Sequence, residues 1–175
     1  LTNKPLAIRS SGLLEDSLSQ PFAGIFDTYI LPNDHQNIQI RLKQLTDAIK
    51  LVYASIYSDI SISYVEAINY KIEEEKMAVI IQEMVGDYYG DYYYPHISGT
   101  AQSYNFYPVS HMEPEDGFAV IATGLGRYVV EGEKSWRFCP KYPNVQISEI
   151  KEILKTSQVK FYAAHVGQNN LDFLD

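Results

Sequence analysis

The segment Leu6-Ala7-Ile8-Arg9-Ser10-Ser11-Gly12 carries an apolar run into one cation, two hydroxyls and a glycine. Arg9 is the only Lys or Arg between residues 5 and 40. A guanidinium is a planar fork of donors matched to phosphate or carboxylate oxygens, and Ser10, Ser11 and the loop amides add donors without more charge. Two partners fit that chemistry: a bound anion, or the neighbouring carboxylates of Glu15 and Asp16. Other groups carry weaker signals. Gly124-Leu125-Gly126 is a short glycine pair of the kind usual in turns. His35, His96, His111 and His165 have no metal-ligand spacing, so neither a metal site nor a catalytic histidine is expected. The tyrosines Tyr88, Tyr89, Tyr92, Tyr93 and Tyr94 read as structural strand residues or as a sugar-stacking or partner surface, since each ring is apolar with a wet hydroxyl.

Composition narrows the function classes. A length of 175 residues holds one good core or two small lobes. Fourteen Lys and Arg against 22 Asp and Glu give a net charge of -8, the wrong sign for a nonspecific nucleic-acid binder. An anionic ligand would therefore have to be held by local donors, backbone amides and a divalent metal. The single Cys139 forms no internal disulfide, which favours a reduced, cytoplasmic setting. Apolar runs such as Met77 to Ile81 fall far short of the ~20 residues a membrane span needs, and no membrane partner is expected.

The elements that must position these groups follow from pattern. Leu6 to Ile8 reads as a short strand that runs out into a polar turn at Arg9 to Gly12, and Phe22 to Leu31 as a second strand, stopped by Pro32 and Asn33 and adjacent to the first. Asp34 is placed to cap a helix whose stripe of Ile38, Leu42, Leu45, Ile49, Val52 and Ile56 faces a core, with Arg41, Lys43, Asp47 and Lys50 in water. A shorter helix is expected around Ser63 to Tyr70. Met77 to Val85 reads as a central strand, and Gly86 to Tyr94 as a hairpin. Further strands are expected over Ser98 to Tyr107, Gly117 to Thr123 and Val159 to Ala164, with a short helix over Glu149 to Lys155. Strands outnumber helices, which predicts an α+β fold: a mostly antiparallel sheet with one long helix packed on it.

The segment LAIRSSGLLEDSLSQPFAGIFDTYI resembles the opening signature of the ATP-binding domain shared by phosphoenolpyruvate synthases, pyruvate phosphate dikinases, glucan water dikinases and rifampicin phosphotransferases. In that family an Arg-Ser-Ser turn, a Glu-Asp pair and a Phe-Ala-Gly-x-x-x-Thr stretch recur in this order. MAVIIQEMV is similar to the family's strand ending in Gln-x-Met-Val, ISGTAQSYNFYP to its Ser-Gly-Val segment, and ATGLGRYVVEGE to its Gly-Leu-Gly-Glu-x-Val-Val-x-Gly, with Arg127 where glutamate is usual. The likeness is colinear over about residues 4 to 140.

The resemblance implies an ATP-grasp-like architecture in which Arg9 contacts ATP phosphates and Gly24 and Thr28 lie in the loop covering the triphosphate. It also implies that Gln82 borders the nucleotide and that Glu83, Met84 and Val85 offer backbone edge contacts and an apolar wall to adenine. The chemistry of each type agrees, although each also has a plain structural reading as turn glycine, strand threonine or backbone-satisfying glutamine. The implied reaction is phosphoryl transfer from ATP to a histidine on another domain, then to pyruvate or a related acceptor. That reaction needs Mg²⁺, whose family ligands lie downstream of the Gly-Leu-Gly segment; nothing after Trp136 matches them, and metal ligands are expected outside this fragment. The family's glycine-rich, lysine-bearing loop lies upstream of Arg9. The 175 residues are thus expected to form a partial ATP-binding domain, with possible lobes 1–75 and 76–175, inactive alone and partnered by phosphohistidine and pyruvate-binding domains. The alternative is a noncatalytic regulatory or partner-binding module that keeps the fold.

Overall fold

The computed structural model describes residues 2–15, 24–130, 132, 134–143, 155 and 157–167. Element order is β1 (Leu6–Gly12), β2 (Thr28–Leu31), α1 (Ile38–Ala54), α2 (Asp59–Ala67), β3 (Met77–Glu83), β4 (Asp87–Tyr89), β5 (Tyr92–Tyr94), β6 (Ser98–Gln102), β7 (Phe118–Ala122), α3 (Arg127–Val130), β8 (Trp136–Phe138) and β9 (Ala164–His165). Helices and antiparallel sheets are mixed, as α+β requires. The chain divides into two compact units, one of Leu1–Tyr93 with Ala164–Asp175 and the other of Tyr94–Ala163.

In the first unit β1 lies between β2 and β3, antiparallel to both. Its side chains alternate: Leu6, Ile8, Ser10 and Gly12 are buried, whereas Ala7 and Ser11 are half-buried and Arg9 is exposed. Leu6 and Ile8 join Leu31, Ala48 and Val52 in one cluster, with Leu45, Ile49 and Val79 packed against it. That alternation extends β1 through the residues read as a polar turn, so Arg9 sits within a strand and not at its exit. The Met77 strand is likewise an edge strand of the described sheet, with β1 in the centre.

The long helix differs from the pattern in two ways. Its N-cap is Asn37, whose side chain accepts from Gln39 N at 2.9 Å, while Asp34 accepts from Gly167 N. Its core face is also displaced, since Ile38 and Leu42 are 39% and 52% exposed and the buried positions are Ala48 and Val52. A helix of 17 residues is about 25 Å long, and β2 has only four residues, so the packed stretch is its C-terminal half, Leu45 to Val52. Nearer the N-terminus, Arg41 turns inward and donates to Thr2 O and Asn33 O, both at 3.2 Å, and to Asn3 Oδ1 at 2.6 Å. The shorter helix, α2, begins at Asp59, earlier than its pattern indicated, because Ser58 caps it by accepting from Ser61 N.

The end of β1 is held by carboxylates. Glu15 accepts from Ser10 Oγ at 2.8 Å and Gly12 N at 2.7 Å, and Glu75 accepts from Leu13 N at 2.7 Å. Gly12 has no space for a Cβ, which would fall on Glu75 Oε1 and the Phe26 ring. Burial raises the Glu75 carboxyl above the ordinary glutamate range, against the backbone bonds from Leu13 and Leu14, and Glu15 adds to the rise. Its Oε2 is buried without a hydrogen-bond partner.

β4, β5 and β9 form a second antiparallel ladder, in which Tyr92 faces His165 and Tyr93 faces Ala164. In the second unit β7 lies between β6 and β8. Its strands are shorter than their patterns: β6 stops at Gln102, and Asn105 is buried, accepting from Tyr107 N and Arg137 Nη2. Among the described residues, strand structure after residue 159 is confined to Ala164–His165. The expected helix over Glu149 to Lys155 lies outside the described residues but for Lys155, as do Phe22 and Ala23 of the expected second strand. Among the described residues no helix is long and apolar enough to cross a membrane.

Two outcomes test this packing. Ile8→Ala, at a fully buried position, should cost about 2–5 kcal/mol in denaturant unfolding, and Leu42→Ala no more than about 0.5 kcal/mol. For Glu75, a raised folded-state value means that the folded chain binds the proton more tightly than the unfolded one. Its contribution is favourable at low pH and is lost as pH rises through the raised value. Glu75→Gln should therefore melt about 2 °C above the parent at pH 7, with the gap closing as the medium is acidified below the ordinary glutamate range.

Candidate functional site

The register of the first sheet decides which of the sequence-singled residues meet. Residues directly opposite in an antiparallel pair project from the same face. Arg9 stands opposite Thr28 on β2 and Ile80 on β3, and Ala7 stands opposite Ile30 and Gln82. Arg9, Thr28 and Gln82 therefore share the face turned away from Leu6, Ile8 and α1, and all three are exposed.

Hydrogen-bond parity refines this. Met84 N donates to Pro5 O at 2.9 Å, one step beyond the Leu6 and Glu83 pair. Bonded and non-bonded pairs alternate along an antiparallel ladder, so Ala7 with Gln82 and Arg9 with Ile80 are bonded pairs on the β3 side. Arg9 with Thr28 is then a non-bonded pair on the β2 side, the closer kind, with Cα atoms about 4.5 Å apart. Gln82 is a diagonal neighbour of Arg9, at about 7–8 Å.

The same parity turns the N–H and C=O of Glu83 away from β1, toward the edge of β3 that pairs with no strand among the described residues. Met84 is half-buried and differs from its neighbours. Its N–H is used by Pro5 and its carbonyl accepts from Tyr93 Oη at 2.9 Å, so its backbone makes no outward contact. Val85 follows at 81% exposure. Gly24 lies in the loop before β2 at φ +80°, a left-handed conformation with nothing within 4 Å of a hypothetical Cβ.

The electrostatics leave Arg9 without an ion pair among the described residues. Glu15 is bonded to Ser10 and Gly12, Asp16 lies outside the described residues, and among the described residues Arg9 has no carboxylate partner. Glu83, by contrast, is lowered below the ordinary glutamate range by a hydrogen bond from Thr2 and by Lys4, whose ammonium lies 3.0 Å from it. Lys4 is raised in turn by Glu83. That ion pair holds the Glu83 side chain toward the start of β1. No three His, Cys, Asp or Glu among the described residues are grouped to hold a metal ion. Tyr93, which residue type alone left among five similar tyrosines, is 1% exposed, and its hydroxyl reaches the end of β3.

Over 165 residues, 94% of this chain, the sequence is 26% identical to a phosphoenolpyruvate synthase of Aeropyrum pernix. It is 32% identical over 132 residues, 73% of this chain, to a phosphoenolpyruvate synthase of Deinococcus radiodurans. The matched stretch spans 18% of the first relative's length and 14% of the second's. The family model for the pyruvate phosphate dikinase AMP/ATP-binding domain matches residues 1–170, and the chain belongs to that family.

Proposed function

We propose that this chain is the nucleotide-binding part of a dikinase-type phosphotransferase, ATP-grasp-like in architecture, with Arg9, Gly24, Thr28, Gln82 and Met84 at the ATP site. The observation that carries the reading is the shared open face of Arg9, Thr28 and Gln82 beside the unpaired edge at Glu83. On a chain of net charge -8, an exposed guanidinium with no carboxylate partner among the described residues is well suited to a triphosphate, and the Thr28 hydroxyl opposite it adds a neutral donor. Gly24 supplies the left-handed backbone that lets a loop close over phosphate oxygens. Gln82 presents an amide that both donates and accepts at the boundary between phosphate and base. Glu83 supplies the outward edge polarity for the base, and Met84 an apolar side chain.

In the whole protein the reaction would move a phosphoryl group from ATP to a histidine on another domain, and from there to pyruvate or a related acceptor. Mg²⁺ would neutralise charge on the phosphates, and its ligands would come from beyond the described residues. The part played by these residues is binding and orientation, which is why the 175 residues alone are expected to bind ATP weakly and to turn over nothing. The possible lobes 1–75 and 76–175 belong to the same proposal.

Titration calorimetry with Mg-ATP tests it. Replacing a charge-assisted bond to phosphate should weaken binding by about tenfold or more in Arg9→Ala. Equal, saturable binding by both proteins would remove Arg9 from the site. A chain that binds no ATP at all would favour a noncatalytic module that retains the fold.

A further inference from the structure

The tyrosine-rich hairpin is not used by the site as described, yet one of its members reaches it. We infer that Tyr93 is a positioning residue for the base edge, holding the end of β3 through the Met84 carbonyl; this rests on the nucleotide reading proposed above.

The argument starts from what Met84 would do without Tyr93. A strand end normally frays, because the last residues lose ladder partners and their carbonyls turn to water. Pro5 opposite Met84 has no N–H to return, so the ladder can bond the Met84 amide but not its carbonyl. Tyr93 Oη supplies the missing donor at 2.9 Å. With both backbone groups of Met84 fixed, the peptide planes on either side are fixed too, and these carry the Glu83 carbonyl and the Val85 N–H.

Tyr93 is itself packed on several sides. It is 1% exposed, its strand pairs with β9 through Ala164, and the Tyr88 ring stands edge-on to it at 4.8 Å, with the Tyr88 hydroxyl donating to Asn3 O. The hydroxyl is thus aimed by its surroundings at the Met84 carbonyl. Tyr88 serves as the internal control, because its hydroxyl bonds Asn3 and not the end of β3.

The test is titration of the chain with Mg-ATP and, separately, with Mg-tripolyphosphate, which has the phosphates but no base. Tyr93→Phe keeps the ring and takes the side-chain donor from the Met84 carbonyl, so ATP affinity should fall about fivefold while tripolyphosphate affinity stays within about twofold. Amide exchange in segment 83–86 should speed up in the same variant without nucleotide. Tyr88→Phe should match the parent for both ligands, and Arg9→Ala should lose both. Unchanged ATP affinity and exchange in Tyr93→Phe, or an equal loss of ATP and tripolyphosphate, would overturn the positioning role while leaving the site intact. If Arg9→Ala instead binds both ligands as the parent does, the nucleotide reading falls and the role of Tyr93 falls with it.

Discussion

The central position of β1 is the constraint on which the rest depends. Because it is paired on both sides, its seven residues must alternate strictly between two environments, and a slip of one residue would send Ile8 into water and Arg9 into the core. Burial of Leu6 and Ile8 against α1 therefore fixes the outward direction of Arg9 as firmly as it fixes their own. The hydrophobic core sets the geometry of the polar face without touching it. Thr28 and Gln82 inherit their places from the same register, since each lies opposite a residue of β1.

Parity of the ladder does a second job. It divides the backbone of β3 into groups spent on β1 and groups left at the edge, and it separates Met84 from Glu83 even though the two are adjacent. Side-chain chemistry and backbone chemistry thereby sit on different surfaces of one strand. Gln82 belongs to the open face and Glu83 to the edge, so a ligand that lay along both would meet a side-chain amide first and backbone polarity next.

Much of the first sheet was legible in the sequence because its strands are short apolar runs with clear breakers, and because the order of Arg-Ser-Ser, Gly-x-x-x-Thr and Gln-x-Met-Val is distinctive. What escaped was whatever depends on distant partners. The choice of Asn37 over Asp34 as cap rests on which side chain reaches Gln39 N, and Asp34 was drawn elsewhere by Gly167. The misplaced stripe of α1 has a similar origin: periodicity identifies an apolar face, but the length of the sheet beneath decides how much of it is covered, and Arg41 took an inward place because the carbonyls of Thr2 and Asn33 awaited a donor. Five tyrosines in seven residues look alike until Tyr93 is seen to end on the Met84 carbonyl.

The chain leaves the first unit just after Tyr93 and returns to it at Ala164, and those two residues are direct partners across a ladder. Exit and re-entry are thus a single interstrand spacing apart, about 5 Å. The intervening 94–163 segment is topologically an insertion into a sheet whose last strand is made seventy residues after its neighbour. During synthesis the hairpin that ends on Tyr93 must wait for the whole inserted unit to emerge before its outer strand can close, which makes this ladder a late, high-contact-order event in folding. The same neighbourliness means that a tight turn joining Tyr93 to Ala164 would span the gap, leaving the first unit's strand order unbroken.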